Sequence, residues 1–311
     1  MRDRLGSRHR RDWLRSALVI LGAGRVALGS FRARVADPVE GIKAKGRAAK
    51  LQPFESSEAE HFVGVGDAPV KYRLEALGLC ESFASDYFVH FRGKGFTIEW
   101  PPEKLPVVIL AGPQSYAAFE GTFVDEAVGG HYDLEANWLV TFDFRGSPIG
   151  PRVVGAADPR LDNTLALVHE TFHLLSYNTG FLSRKADIPL CLTEGLATYA
   201  ETWRPGRKGT IGAINVRRRK GLELALKEGL RWLPIKDLLA RDKLLTDPKT
   251  EQAAYAESSM LVAKLLKDPE RLPRFRELLR AIQKSDDPAR RVPLAATHLG
   301  DLDKLDKDIR R

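Results

Sequence analysis

A chain of 311 residues, 43% apolar and 29% charged, is long enough for a signal segment plus one large or two moderate domains, and its composition excludes a disordered or fibrous protein. Its formal charge of +8 would point to nucleic acid or membranes if it were spread along the chain. Residues 1–50 instead hold thirteen Lys or Arg against four acids, leaving 36 basic against 37 acidic residues after position 50.

Residues 1–36 read as a targeting segment. The run Arg10-Arg11-Asp12-Trp13-Leu14-Arg15, then the moderately apolar Ser16 to Gly24, resembles a twin-arginine export signal, whose apolar region is weak. The run is too short for an ordinary transmembrane helix, and Arg25 within it counts against a general secretory signal. Ala27-Leu28-Gly29 is a candidate cleavage site. The expectation is export to the periplasm or the extracellular space, with membrane contact transient or through a retained N-terminal anchor.

Residues 37–54, rich in Ala, Gly, Lys and Arg and punctuated by Pro38 and Pro53, are expected to be a linker. The body then runs over 55–311, α/β over 55–160 and helical over 161–311. His61 to Val65 reads as a strand, and Val70 to about Arg92 as a helix through Tyr72, Leu74, Leu77, Phe83, Tyr87 and Phe88. Pro106 to Leu110 is a second strand and Pro113 to about Phe119 a helix, and this alternation of strand and helix implies an α/β layer. Gly129 to Asp133 and Asn137 to Phe142 form a turn and a strand, or a short hairpin; His131 in that turn is expected at the surface.

The segment from Asp162 to Gly180 carries the chemistry. Leu165, Val168, Phe172 and Leu175 recur at helical spacing between a cap at Asp162 or Asn163 and a stop at Asn178 to Gly180. His169 and His173 are four apart, so they lie one turn above each other and can present two imidazoles to one metal ion. Glu170 beside them is placed to accept a proton from an activated water rather than to bind the metal. A third ligand is needed, and Glu194 supplies a carboxylate twenty-one residues beyond His173, on a second helix entered after Pro189. Two histidines, one glutamate and an open position describe a catalytic zinc site rather than a closed structural one.

Thr198 and Glu201 follow Glu194 by four and seven residues on the same helix face, where they can orient His169 or His173. Tyr199 falls on another face, and Gly195 permits two helices to approach closely. Cys80 and Cys191 are too few for a disulfide framework, and buried free thiols are expected. Arg217-Arg218-Arg219-Lys220 reads as a solvated helix start without the aromatic residues of a nucleic-acid surface, so no nucleic-acid partner is expected. Further helices are expected at about Ile214 to Leu230, Ile235 to Ala240, Glu251 to Lys267, Glu270 to Lys284 and Leu302 to Ile309.

The pattern His169-Glu170-x-x-His173 followed by Glu194-Gly195-x-Ala197-x-Tyr199 resembles the gluzincin metallopeptidases, the group of thermolysin and the zinc aminopeptidases. Within it the chain is similar to the peptidase MA-like bacterial domains of unknown function. The resemblance covers about residues 55–285, with sharp motifs only between 165 and 260. It implies an α+β, zincin-like (thermolysin-type) catalytic fold: a small mixed sheet with an edge strand, followed by a mainly helical C-terminal part. It implies His169, His173 and Glu194 as zinc ligands and Glu170 as general base. It also implies a Tyr or His that stabilises the transition state about where Tyr255 stands, sixty-one residues after Glu194. Such folds hold extended substrate along an edge strand, for which Asn137, Trp138, Leu139 and Val140 are the candidates. The Gly-Met-Glu-Asn strand of the aminopeptidases has no counterpart, so that activity does not carry over.

The resulting expectation is a zinc metallopeptidase acting on polypeptide. Its alternatives are a metal-bearing cell-envelope binding protein without activity and a zinc hydrolase of a non-peptide bond.

Overall fold

The computed structural model describes residues 37–122, 129–145 and 159–310, with the backbone alone at 159–162. Contacts among these residues divide the chain into two units, the first reaching Glu81 and resuming over Glu103–Glu170, the second comprising Ser82–Pro102 and Thr171–Arg311. Two continuous helices, Val70–Gly93 and Pro159–Asn178, each contribute to both.

The first unit is built on a five-stranded sheet. In chain order it comprises α1 (Pro38–Ala48), β1 (Glu55–Glu58), β2 (Phe62–Gly66), the start of α2 (Val70–Gly93), β3 (Leu105–Leu110), α3 (Pro113–Glu120), β4 (Gly130–Asp133), β5 (Trp138–Phe142) and the start of α4 (Pro159–Asn178). The strand order is β1-β2-β3-β5-β4, parallel at the two inner pairings and antiparallel at the two outer ones. Ile42 of α1 and Tyr116 and Phe119 of α3 join Val63, Val65, Val108, Leu110, Val140 and Phe142 in one core. On the other face Leu77 of α2 meets Gly64 and Ile109. Burial on both faces explains why β3 is apolar without alternation.

Three expectations are corrected here. Residues 37–54 carry α1 rather than a linker: the Asp37 side chain accepts from the Val39 N–H at 3.0 Å, Pro38 occupies the first turn, and Ile42 is fully buried. Its buried residues are only Ile42 and Gly46, the latter against the Phe54 ring, so no apolar stripe betrays the helix. The segment Asn137 to Val140 is not an edge. Asn137 sits in the hairpin turn with φ 59°, while Trp138, Leu139 and Val140 run between β3 and β4. The short connection lets β4 fold back and cover that side, with Asp133 accepting from the Glu135 and Ala136 N–H groups at 2.9 and 2.8 Å. His131, expected at the surface, is buried on β4, with its Nδ1 2.7 Å from the Tyr116 hydroxyl.

The second unit is helical: the ends of α2 and α4, then α5 (Leu190–Ala200), α6 (Val216–Lys227), α7 (Ile235–Ala240), α8 (Glu251–Lys267), α9 (Arg271–Ile282), α10 (Arg291–Leu299) and α11 (Leu302–Ile309). Tyr87, Phe91, Phe96, Phe172 and Phe181 form a continuous aromatic cluster that joins the end of α2 to the end of α4. The Tyr87 hydroxyl and Thr179 Oγ1 are 3.1 Å apart within it. The helix α10 was not expected. Pro293 stands in its first turn, where its missing N–H leaves no bond unmade.

The chain is therefore α+β, a small mixed sheet with a mainly helical C-terminal part. No helix among the described residues is long and apolar enough to cross a membrane. The targeting segment expected over 1–36 lies outside the described residues.

Candidate metal site

Val168, Phe172 and Leu175 are buried along α4 and fix which face it turns inward. The helix begins at Pro159, before the expected cap, so Asn163 lies inside it. Its side chain instead accepts from the Phe144 N–H at 2.9 Å and donates to Asp143 at 3.0 Å.

His169 and His173 are 4% and 2% exposed, and Glu194 on α5 is fully buried. Candidate ligand atoms of the three lie within 4.8 Å of one another, and His173 Nε2 is 3.3 Å from Glu194 Oε1. Two atoms bound at about 2.0–2.1 Å to a tetrahedral zinc stand about 3.3 Å apart, so this spacing matches two ligands of one ion. The donor set also fits: two imidazoles and one carboxylate, buried and close together. His169, His173 and Glu194 can hold a metal ion.

Glu170 is 6% exposed, and its Oε2 is buried without a hydrogen-bond partner among the described residues. Such an atom calls for a proton donor to meet it. The first residue of β4 packs against this side chain. A Cβ on Gly130, at φ 153°, would stand 3.5 Å from Glu170 Cγ and 2.6 Å from the Val140 carbonyl oxygen, so only glycine fits. Beyond it the buried His131 links Tyr116 to Glu120, whose Oε2 is 3.8 Å from His131 Nε2 and whose Oε1 accepts from Lys45 at 2.9 Å. Burial, then the charges of Glu120 and Glu170, hold the Tyr116 phenol well above its ordinary pKa.

The α5 helix is buried over its whole length after Leu190, which its composition allows because Glu194 is its only charged residue. Gly195 brings it against α8: a Cβ there would lie 2.6 Å from the Ser258 carbonyl oxygen. Tyr255, one turn before Ser258 and 2% exposed, is thus carried to the helix that packs beside Glu194. Thr198 is fully buried, its Oγ1 without a hydrogen-bond partner among the described residues. Glu201 gives both oxygens to Arg218, and one of them also accepts from Asn215. Cys191 lies one turn before Glu194, outside the His169, His173 and Glu194 group, and burial, with Asp242 adding, pushes its thiol far up. Cys80 and Cys191 are both buried and not joined.

Arg218, expected with its neighbours in a solvated helix start, is instead 5% exposed and paired with Glu201, and nothing in a basic run marks which member turns inward.

Residues 163–295 match the model of a family described as a protein of unknown function, DUF1570. The match runs from α4 into α10 and includes His169, Glu170, His173, Glu194, Arg218 and Tyr255. No curated protein matches the chain.

Proposed function

We propose that the protein is an exported zinc peptidase of gluzincin type with a zincin-like catalytic fold, directed outward by residues 1–36. The observation that carries this reading is Glu170, whose buried Oε2 has no hydrogen-bond partner among the described residues, beside a buried His169, His173 and Glu194 set. A purely structural site has no use for such a base.

His169, His173 and Glu194 hold the zinc, which when bound supplies a Lewis acid that lowers the pKa of water from about 15.7 to about 7. Glu170 Oε2 accepts the proton as the water oxygen attacks the scissile carbonyl, and passes it to the departing amine nitrogen when the C–N bond breaks. Tyr255 donates a hydrogen bond to the oxyanion that develops on the carbonyl oxygen. An extended polypeptide adds along β4, the strand whose Gly130 packs against Glu170, in place of the interior segment expected from the sequence.

The test compares the wild type with Glu170→Gln for zinc content and cleavage of an unbiased peptide library. One zinc per chain is expected in both proteins, with cleavage lowered at least about 100-fold in the variant. A folded wild type without metal, or a variant that cleaves as well as the wild type, overturns the reading.

A further inference from the structure

The basic run Arg217 to Lys220 does not behave as one surface. Arg219 and Lys220 are exposed, and Arg219 pairs with Glu223 on its own helix at 3.1 Å. Arg218 is 5% exposed and turns the other way. Its Nη2 and Nε donate to the two oxygens of Glu201 at 2.5 and 3.1 Å. Asn215 completes the clamp. Its Oδ1 accepts from the Arg218 N–H at 3.2 Å, and its Nδ2 donates to Glu201 Oε2 at 2.9 Å and to the Thr198 carbonyl at 3.2 Å. The guanidinium lies 5.0 Å from the centre of the Tyr255 ring.

Three helices therefore meet at one buried cation: α5 through Glu201, α6 through Arg218 itself, and α8 through Tyr255. Glu201 is two turns along from Glu194 on the same face of α5. Burial works against the guanidinium charge, but the Glu201 carboxylate, with Tyr255 and Glu194 adding, more than offsets it and raises the pKa. A clamp that only fastened α6 to α5 would be replaceable by apolar side chains. A cation on a phenol ring does something apolar groups cannot. It draws on the ring's electrons, strengthens the O–H as a donor, and fixes the ring's orientation.

We propose that Arg218 is a positioning residue: held by Glu201 and Asn215, it orients the Tyr255 ring and primes its hydroxyl to donate to charge that develops beside Glu194. This rests on the zinc peptidase reading above.

The test uses Glu201→Gln/Arg218→Met, which removes both charges and leaves neither partner stranded. Tyr255→Phe, the triple variant, the charge-keeping Arg218→Lys, and Lys220→Gln as control accompany it. The first readout is kcat and KM on a peptide that the wild type cleaves. The second is the NMR signal of ring-labelled tyrosine with and without zinc, Tyr255 being assigned by its loss in Tyr255→Phe. The double variant should lose about 10- to 100-fold in kcat with KM nearly unchanged. The triple variant should fall no further than Tyr255→Phe, Arg218→Lys should lie between, and Lys220→Gln should match the wild type. The Tyr255 ring signal should move in the double variant with zinc and without it. Wild-type kcat in the double variant, or an unmoved Tyr255 signal, overturns the proposal. If the double variant does not fold, Arg218→Lys decides by the same two readouts. A wild type that cleaves nothing defeats the peptidase reading instead, and the ring signal then decides whether Arg218 positions Tyr255.

Discussion

Glu194 has no exposed surface, and a buried carboxylate is tolerated only where something of opposite charge or a set of donors meets it. A divalent ion held between His173 and Glu194, whose nearest ring nitrogen and carboxylate oxygen are 3.3 Å apart, would meet the carboxylate and both histidines together. Zinc should accordingly stabilise the fold, by about 2.7 kcal/mol at a free concentration one hundred times Kd. The rise in Tm on zinc addition, and its reversal by a chelator, measure this. In His173→Ala both should vanish. These residues were legible in the sequence because the spacing of His169 and His173 is a local property of one helix. The roles of Glu201 and Arg218 were not, since their pairing joins positions seventeen apart on two helices and nothing in a basic run marks which member turns inward. His131 was misplaced for a related reason: its burial depends on Tyr116 and on pairing with β5, neither of which its neighbours announce.

Among the elements, α5 and α8 set the tightest constraint. A Cβ on Gly195 would stand 2.6 Å from the Ser258 carbonyl and 2.8 Å from Val262 Cγ2, and a backbone carbonyl cannot step aside as a flexible side chain can. Gly195→Ala should therefore cost about 1–3 kcal/mol, read as a lower urea midpoint with unchanged m-value, although alanine is the better helix former. The helices α2, α7, α8 and α11 were readable nearly to their ends because each carries its own apolar pattern. The helix α1 was not, for it rests on one buried isoleucine and a glycine. The order of β4 and β5 was also beyond reach, because either strand of a hairpin can face outward until its neighbour β3 is known.

At the scale of the whole molecule, stability should fall as the solution becomes alkaline, and Glu257 is the cause. It is fully buried on α8, and both its oxygens face the Leu233 N–H at 3.1 Å. Burial raises its pKa to about 8, with the Leu233 hydrogen bond and Arg310 pulling back only partly. The folded state thus holds a proton that the unfolded chain releases near the ordinary carboxylate value of 4.5. The stabilisation is complete below that value and is lost as pH climbs through about 8. Glu257→Gln should flatten this decline, by up to about 4 kcal/mol between the two ends, in unfolding free energies measured from pH 5 to pH 9. The sequence shows only a glutamate in a helix there. Its isolation follows from how α8 is enclosed, which no local pattern records.

The 3.3 Å between His173 and Glu194 would also act on the proposed ion as a gauge of size. Both histidines are borne on one continuous helix, whose rise cannot stretch, and α5 is pinned by the contact at Gly195. A calcium ion, with bonds of about 2.3–2.6 Å and six to eight oxygen neighbours, would need the cage to swell and change its donors. If the site works as proposed, the rigidity that shapes it for chemistry would also sort the cations that reach it, setting it against the larger ones.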